Sequence, residues 1–119
     1  MSSSNPLHPL RLKLTATPHG SDLVIALDGA LATGEAVAAQ RQLLELTATC
    51  TGRIVLDCTQ LTYIASVGLR TLLALHRNAA DRSRGVILAG VTEPVRHILD
   101  LAGLLARFQL TPTVAAALR

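Results

Sequence analysis

Apolar and polar positions alternate over Arg11–Thr17, with Leu12, Leu14 and Ala16 on one side, the period-2 mark of a half-buried strand. Pro18-His19-Gly20-Ser21 supplies turn chemistry, and Leu23–Leu27 is a short apolar run that ends at Asp28-Gly29, the pattern of a buried strand followed by a turn. The period then lengthens. Thr33–Leu46 reads as a helix with Thr33 at its N-cap and Ala36, Val37, Gln40, Leu43 and Leu44 along its inward stripe. Gly52 ends the link to Ile54–Leu56, a short strand closing at Asp57. Beyond Leu61–Ile64 a second helix starts at about Ser66, with Leu69, Leu72, Leu73, His76 and Ala80 inward and Arg70, Arg77, Asn78 and Asp81 outward. Val86–Ala89, introduced by Gly85, is a fourth strand.

Thr92 is placed to cap a third helix whose first turn holds Glu93 and Pro94, both suited to a helix start. Val95, Ile98, Leu99 and Ala102 share one face, and Gly103 stands where a terminating glycine belongs. Phe108–Leu110 is a last short strand; Thr111-Pro112 repeats the cap-and-proline signature before a helix at Val114–Leu118. The order β-β-α-β-α-β-α-(β)-α predicts the α/β class, a mixed sheet of four to five strands packed by about four helices. No internal repeat or linker interrupts it. Residues 1–9 carry three serines and two prolines without periodicity and read as a flexible tail, leaving 10–119 as one domain.

Composition narrows the function classes. Half of the 119 residues are apolar but only Tyr63 and Phe108 are aromatic, so the core is aliphatic. No uncharged apolar run approaches the roughly 18 residues of a membrane-spanning helix, and the N-terminus lacks the basic start and apolar stretch of a signal peptide. A cytoplasmic protein without membrane insertion is expected. Cys50 and Cys58 are too few for a disulfide framework and read as inert thiols. The net charge of +3 comes almost entirely from arginines scattered along the chain, without the stacking aromatics of a nucleic-acid surface. Direct nucleic-acid binding is not expected. Arg77, Arg82 and Arg84 form a modest basic group after the second helix, a solvated face or a docking rim for an acidic partner.

The segment Tyr63-Ile64-Ala65-Ser66-Val67-Gly68-Leu69-Arg70 carries the most chemistry. A serine opens an amphipathic helix, and a glycine follows two places later at a cost of about 1 kcal/mol relative to alanine. Close approach of another backbone or a packing constraint would account for that glycine. The free N–H groups of a first helical turn, with the helix dipole, accept negative charge. A phosphate on Ser66 would sit at that positive end, and Arg70, four residues on, lies on the neighbouring turn. Serine is also a preferred N-cap, and from spacing alone capping outranks regulation.

Enzymatic readings fit poorly. Receiver-type phosphoryl chemistry needs adjacent acids and a late lysine, whereas the only lysine is Lys13; Asp28 and Asp57 read as turn residues, with Asp28 bordering the Ser66 surface. The nucleophile elbow lacks its first glycine, and His8, His19, His76 and His97 offer no triad partner. No zinc-ligand spacing or nucleotide loop is present, so neither metal nor cofactor is expected.

Ile54-Val-Leu-Asp57, then Leu61-Thr-Tyr-Ile-Ala-Ser66-Val-Gly68-Leu69-Arg-Thr-Leu-Leu73, resembles the signature of STAS domains, the family of bacterial anti-sigma factor antagonists. The resemblance extends through Leu23–Leu31, Val86–Val91, Val95–Leu104 and Thr111–Leu118. It implies a mixed sheet with helices on one side and a non-enzymatic switch protein. In such a protein the unphosphorylated form binds an anti-sigma factor that is also a serine kinase, which frees the sigma factor for transcription. Phosphorylation of the serine matching Ser66 breaks the complex, and a separate phosphatase resets it. By this resemblance Ser66 is the phosphoacceptor, and Ala65, Ser66, Val67, Gly68, Arg70 and Asp28 form the partner surface, with Gly68 allowing close partner approach. Ala65 and Val67 stand where many phosphorylated members carry Asp and Ser or Thr. They favour slightly an alternative: a constitutive STAS scaffold, or an accessory subunit of a transporter or signalling complex, without phosphorylation.

Overall fold

The computed structural model describes residues 12–82 and 85–119, the side chains of residues 33 and 35 excepted. The N-terminal tail, Arg11, Arg84 and the side chain proposed to cap at Thr33 therefore lie outside the described residues. Six strands form one sheet: β1 (Leu12–His19), β2 (Asp22–Leu31), β3 (Ile54–Asp57), β4 (Leu61–Ile64), β5 (Val86–Ala89) and β6 (Gln109–Thr111). The spatial order is β1-β2-β3-β5-β6, with β4 paired to the far end of β2. The β1–β2 hairpin is antiparallel and every other pair is parallel. The helices are α1 (Thr33–Thr47), α2 (Ser66–Asp81), α3 (Glu93–Leu101) and α4 (Val114–Ala117). The expected α/β architecture is observed, with six strands where four to five are expected. The additional strand is Leu61–Ile64, a segment that the pattern places ahead of α2 without assigning it to the sheet.

Pleating sorts the side chains into two layers. Ile25 and Leu27, Ile54 and Leu56, and Leu88 point to one face and meet Leu43 of α1, Leu72 and Leu75 of α2 and Leu99 of α3, all of them buried. Val24, Val55, Ile87 and Ala89 point the other way and are covered by Ala117 of α4. Helices on one side therefore describes α1–α3 only. Covering on both faces is why β3 and β5 are continuous apolar runs rather than alternating ones. Each fully buried Leu or Ile contributes about 2 kcal/mol of apolar transfer free energy.

β2 does not stop at Asp28-Gly29. It continues to Leu31 because it changes partner there: Leu23–Ala26 pair with β3, whereas Gly29–Leu31 pair with β4 across a register shift between Gly29 and Ala30. Gly29 takes φ +120°, a conformation glycine adopts freely. The first turn is likewise shorter than expected, since Pro18 and His19 stay in β1 and only Gly20-Ser21 remain as the loop. Ala32, not Thr33, occupies the N-cap of α1, and Val37 is 68% exposed instead of lining the inward stripe, which runs Ala36, Ala39, Leu43 and Thr47. In α2 the buried residues are Gly68, Thr71, Leu72, Leu75 and Ala79, so Ala80 faces solvent. Ala102 is exposed too. Thr92 does precede α3, but its hydroxyl donates to the Leu61 carbonyl at 3.2 Å and ties α3 to β4 instead of capping. Gly103 terminates that helix at φ +73°. Before α4 the capping hydroxyl is that of Thr113, which accepts from Ala116 N at 3.0 Å; Thr111 is in β6.

Candidate functional site

Two strand ends and two helix starts meet at one end of the sheet. β2 passes through Ala32 into α1, and β4 passes through Ala65 into α2. Leu31 and Ile64 are register partners, so the two helices leave the sheet side by side. Ala65 N donates to the Leu31 carbonyl at 3.0 Å, and Leu69 N donates to the Ala65 carbonyl at 2.9 Å. Ala65, at φ −95° and ψ 174°, is therefore the N-cap, and Ser66 is the first helical residue. This corrects the expected capping role for Ser66. Its side chain is exposed, one position beyond the cap, where a hydroxyl has no capping geometry to fill.

The positions around it divide by what they touch. Val67 is half-buried and packs against the main core. Arg70 is exposed one turn along α2, and the first turn of that helix carries no acid, so its positive end is uncompensated by its own side chains. Gly68 faces inward. A Cβ built on it would collide with the Leu31 carbonyl oxygen and stand 2.9 Å from both Ile64 Cγ1 and Leu31 Cγ. The close approach it permits is that of β2's own backbone, and the expected contact with a partner at Gly68 is corrected accordingly. Asp28 is exposed on β2 at the same end of the sheet, but on the pleat side opposite Leu27 and opposite Lys13 in register. Thr71 is buried and shares its hydroxyl between the Ala36 carbonyl at 3.2 Å and the Val67 carbonyl at 3.0 Å, which binds the starts of α1 and α2 together.

Two apolar side chains at this end are exposed, one of them expected to face inward. Val37 lies early in α1, and Tyr63, 45% exposed, is two residues ahead of Ala65. Tyr63 stands on β4, which pairs with β2 alone within the sheet. A four-residue strand with two exposed positions gives too short an alternation to announce itself.

Other candidate chemistry is internal. Burial pushes the Cys58 thiol up to about 12, with Asp57 adding to the effect, so it stays protonated and unreactive. The Cys50 thiol donates toward the Ser21 carbonyl at 3.5 Å. The His76 ring packs edge-on against Phe108 with centroids 5.2 Å apart. Among the described residues no cluster of three His, Cys, Asp or Glu side chains is placed to hold a metal ion, and no helix is long and apolar enough to cross a membrane.

This topology, with a serine-started helix beside the end of β2, is that of a family: residues 13–117 match the STAS domain, and the chain belongs to it. Among its relatives is BtrV of Bordetella bronchiseptica, described as a candidate anti-sigma factor antagonist. The two are 26% identical over 106 residues, which cover 89% of this chain and 91% of that protein. Among solved structures, an anti-sigma factor antagonist from Mycobacterium paratuberculosis superimposes with a TM-score of 0.80 at 24% identity over 92% of this chain and 93% of that one. The anti-sigma factor antagonist SpoIIAA in its unphosphorylated form gives a TM-score of 0.73 at 19% identity over 91% and 93% of the two chains.

Proposed function

We propose that this protein is an anti-sigma factor antagonist that binds an anti-sigma factor serine kinase through the surface around Ser66, and that phosphorylation of Ser66 switches it off. The observation that carries the reading is the exposed hydroxyl on the first residue of α2, outside the cap and beside a helix end without acids. The relatives described as antagonists support the partner class. In the transfer, a bond forms between Ser66 Oγ and the γ-phosphorus of ATP. The bond from that phosphorus to the bridging oxygen of ADP breaks, and the hydroxyl proton passes to a base of the kinase. The domain receives the group and performs no catalysis itself.

The consequence is electrostatic. A phosphoserine adds roughly −2 charge and several strong acceptors. At Ser66 these oxygens lie over the free N–H groups of α2 and within a turn of Arg70, so the fold tolerates them while the docking surface changes sign. A separate phosphatase restores the binding form, and the readout is sigma-factor-dependent transcription. Incubation with the cognate kinase and ATP, followed by intact-mass measurement, tests this. Wild type gains one phosphate and Ser66→Ala none; equal gain by both proteins overturns the assignment of Ser66.

A further inference from the structure

Between α1 and α2, beside the Ser66 end, runs an open groove of about 400 Å³. Ala36, Val37, Leu44 and Val67 give it apolar walls, and the Thr71 hydroxyl on its floor is already committed to two carbonyls. Arg41 and Arg70 stand at its rims, and among the described residues no acidic side chain lines it and neither arginine forms an ion pair. Arg53 and Arg82, by contrast, are each fixed by several acceptors.

We infer that this groove docks an amphipathic helix whose apolar stripe is flanked by acidic residues, supplied by the partner protein. Aliphatic walls between two helices accept the i, i+3, i+4, i+7 stripe of a third. The two arginines then meet carboxylates on either side of that stripe, and this sets orientation and attracts the right partner during encounter. A second copy of the chain fits less well, since a two-fold contact here turns arginines toward arginines. The groove shares Val67 and Arg70 with the Ser66 helix, so this deepens the proposed function and rests on it only for which protein carries the docking helix.

Titration of the isotope-labelled full chain with synthetic peptides tests the groove without that partner. The probe is a helix of about 18 residues, some five turns, with leucines along one stripe and glutamates elsewhere. The controls are its lysine counterpart and polyglutamate. Saturable amide shifts are expected at Val37, Leu44, Val67 and Thr71 with the acidic helix, and binding at least ~10-fold weaker with either control, a difference of one decade in Kd. Arg41→Glu/Arg70→Glu should cost about tenfold in affinity. If that variant loses its dispersed spectrum, Arg41→Gln/Arg70→Gln replaces it, with a loss of roughly threefold. The inference is overturned by absence of saturable shifts, by equal binding of the lysine helix or polyglutamate, by shifts on another face, or by unchanged affinity in a folded arginine variant. Capture of an anti-sigma factor by the same wild-type chain, scored separately, shows whether the functional reading survives such a failure.

Discussion

The two ends of the parallel sheet treat their polar groups in opposite ways. At the end where β2 and β3 begin, Arg53 is saturated. Its Nε and Nη2 donate to Asp22 Oδ2 at 3.2 and 2.9 Å, and its Nη1 and Nη2 hold the carbonyls of Ala117, Leu118 and Arg119 at 2.7–2.9 Å. The Arg53 backbone N–H adds a 2.6 Å bond to Asp22 Oδ1. At the other end, where β2 and β4 finish, Ser66, Arg70, Val37 and Tyr63 are all exposed. One end spends its hydrogen bonds on fastening α4 and the last residues across the second face of the sheet. The other end uses the Leu31 carbonyl and the Thr71 hydroxyl to hold α1 and α2 together, and presents Ser66, Arg70, Val37 and Tyr63 outward. The function proposed above calls for both: a fastened frame, and one surface left open.

The largest expected effect comes from filling the space beneath that open surface. Gly68→Ala drives a methyl into the Leu31 carbonyl and Ile64, and overpacking of this kind costs about 1–3 kcal/mol, more for Gly68→Val. Chemical denaturation should show the loss as a lower midpoint with an unchanged slope. Cutting the fastening at the other end comes next. Arg53→Ala removes the anchors of the C-terminal carbonyls and the Asp22 pair, whose arginine side chain is 41% exposed; solvent screening limits the expected loss to roughly 1 kcal/mol. Hydrogen exchange should rise at Val114–Arg119 and stay unchanged at Ser66–Arg70.

A pH test separates the ends further. The backbone N–H of Arg53, then its guanidinium, hold the Asp22 carboxyl below the usual carboxylate range. A carboxylate with a depressed folded pKa stabilises above its unfolded value of about 4. That contribution disappears as pH falls through the folded value. Wild type should lose stability in that acid window more steeply than Asp22→Asn, as read from urea midpoints. The smallest effect on the fold belongs to Ser66→Asp, expected within about 0.5 kcal/mol of wild type because an exposed first-turn acid suits the helix dipole. Its effect on partner binding should nevertheless be the largest of any single exposed change, and unchanged affinity would count against the electrostatic switch.

Local signals in the chain carried much of this, and nonlocal ones did not. The start of α2 at about Ser66 and the strands at Ile54–Leu56 and Val86–Ala89 follow from periodicity, and the stop at Gly103 from capping chemistry. Asp28-Gly29 read as a turn because the same dipeptide serves a hairpin and a strand changing partners, and only pairing with β4 decides between them. Helical spacing predicts an inward Val37, but an aliphatic residue carries no mark of which edge of the stripe it occupies; here Ala36 and Ala39 take the inner places. Gly68 was recognisable as costly for a helix, but its cause, a carbonyl 37 positions earlier in the chain, was not. The Arg53 anchor joins residues 31 and up to 66 positions away and leaves no local signature at all.

Hydrogen exchange of the chain alone and mixed with an anti-sigma factor kinase of the proposed class puts the contrast between the two ends to the most direct test. Slowed exchange is expected at Tyr63–Arg70 and in the first turns of α1, with no change at Asp22, Arg53 or Ala117–Arg119. Slowed exchange confined to the Asp22–Arg53 end, with Ser66 and its neighbours unaffected, would contradict the account.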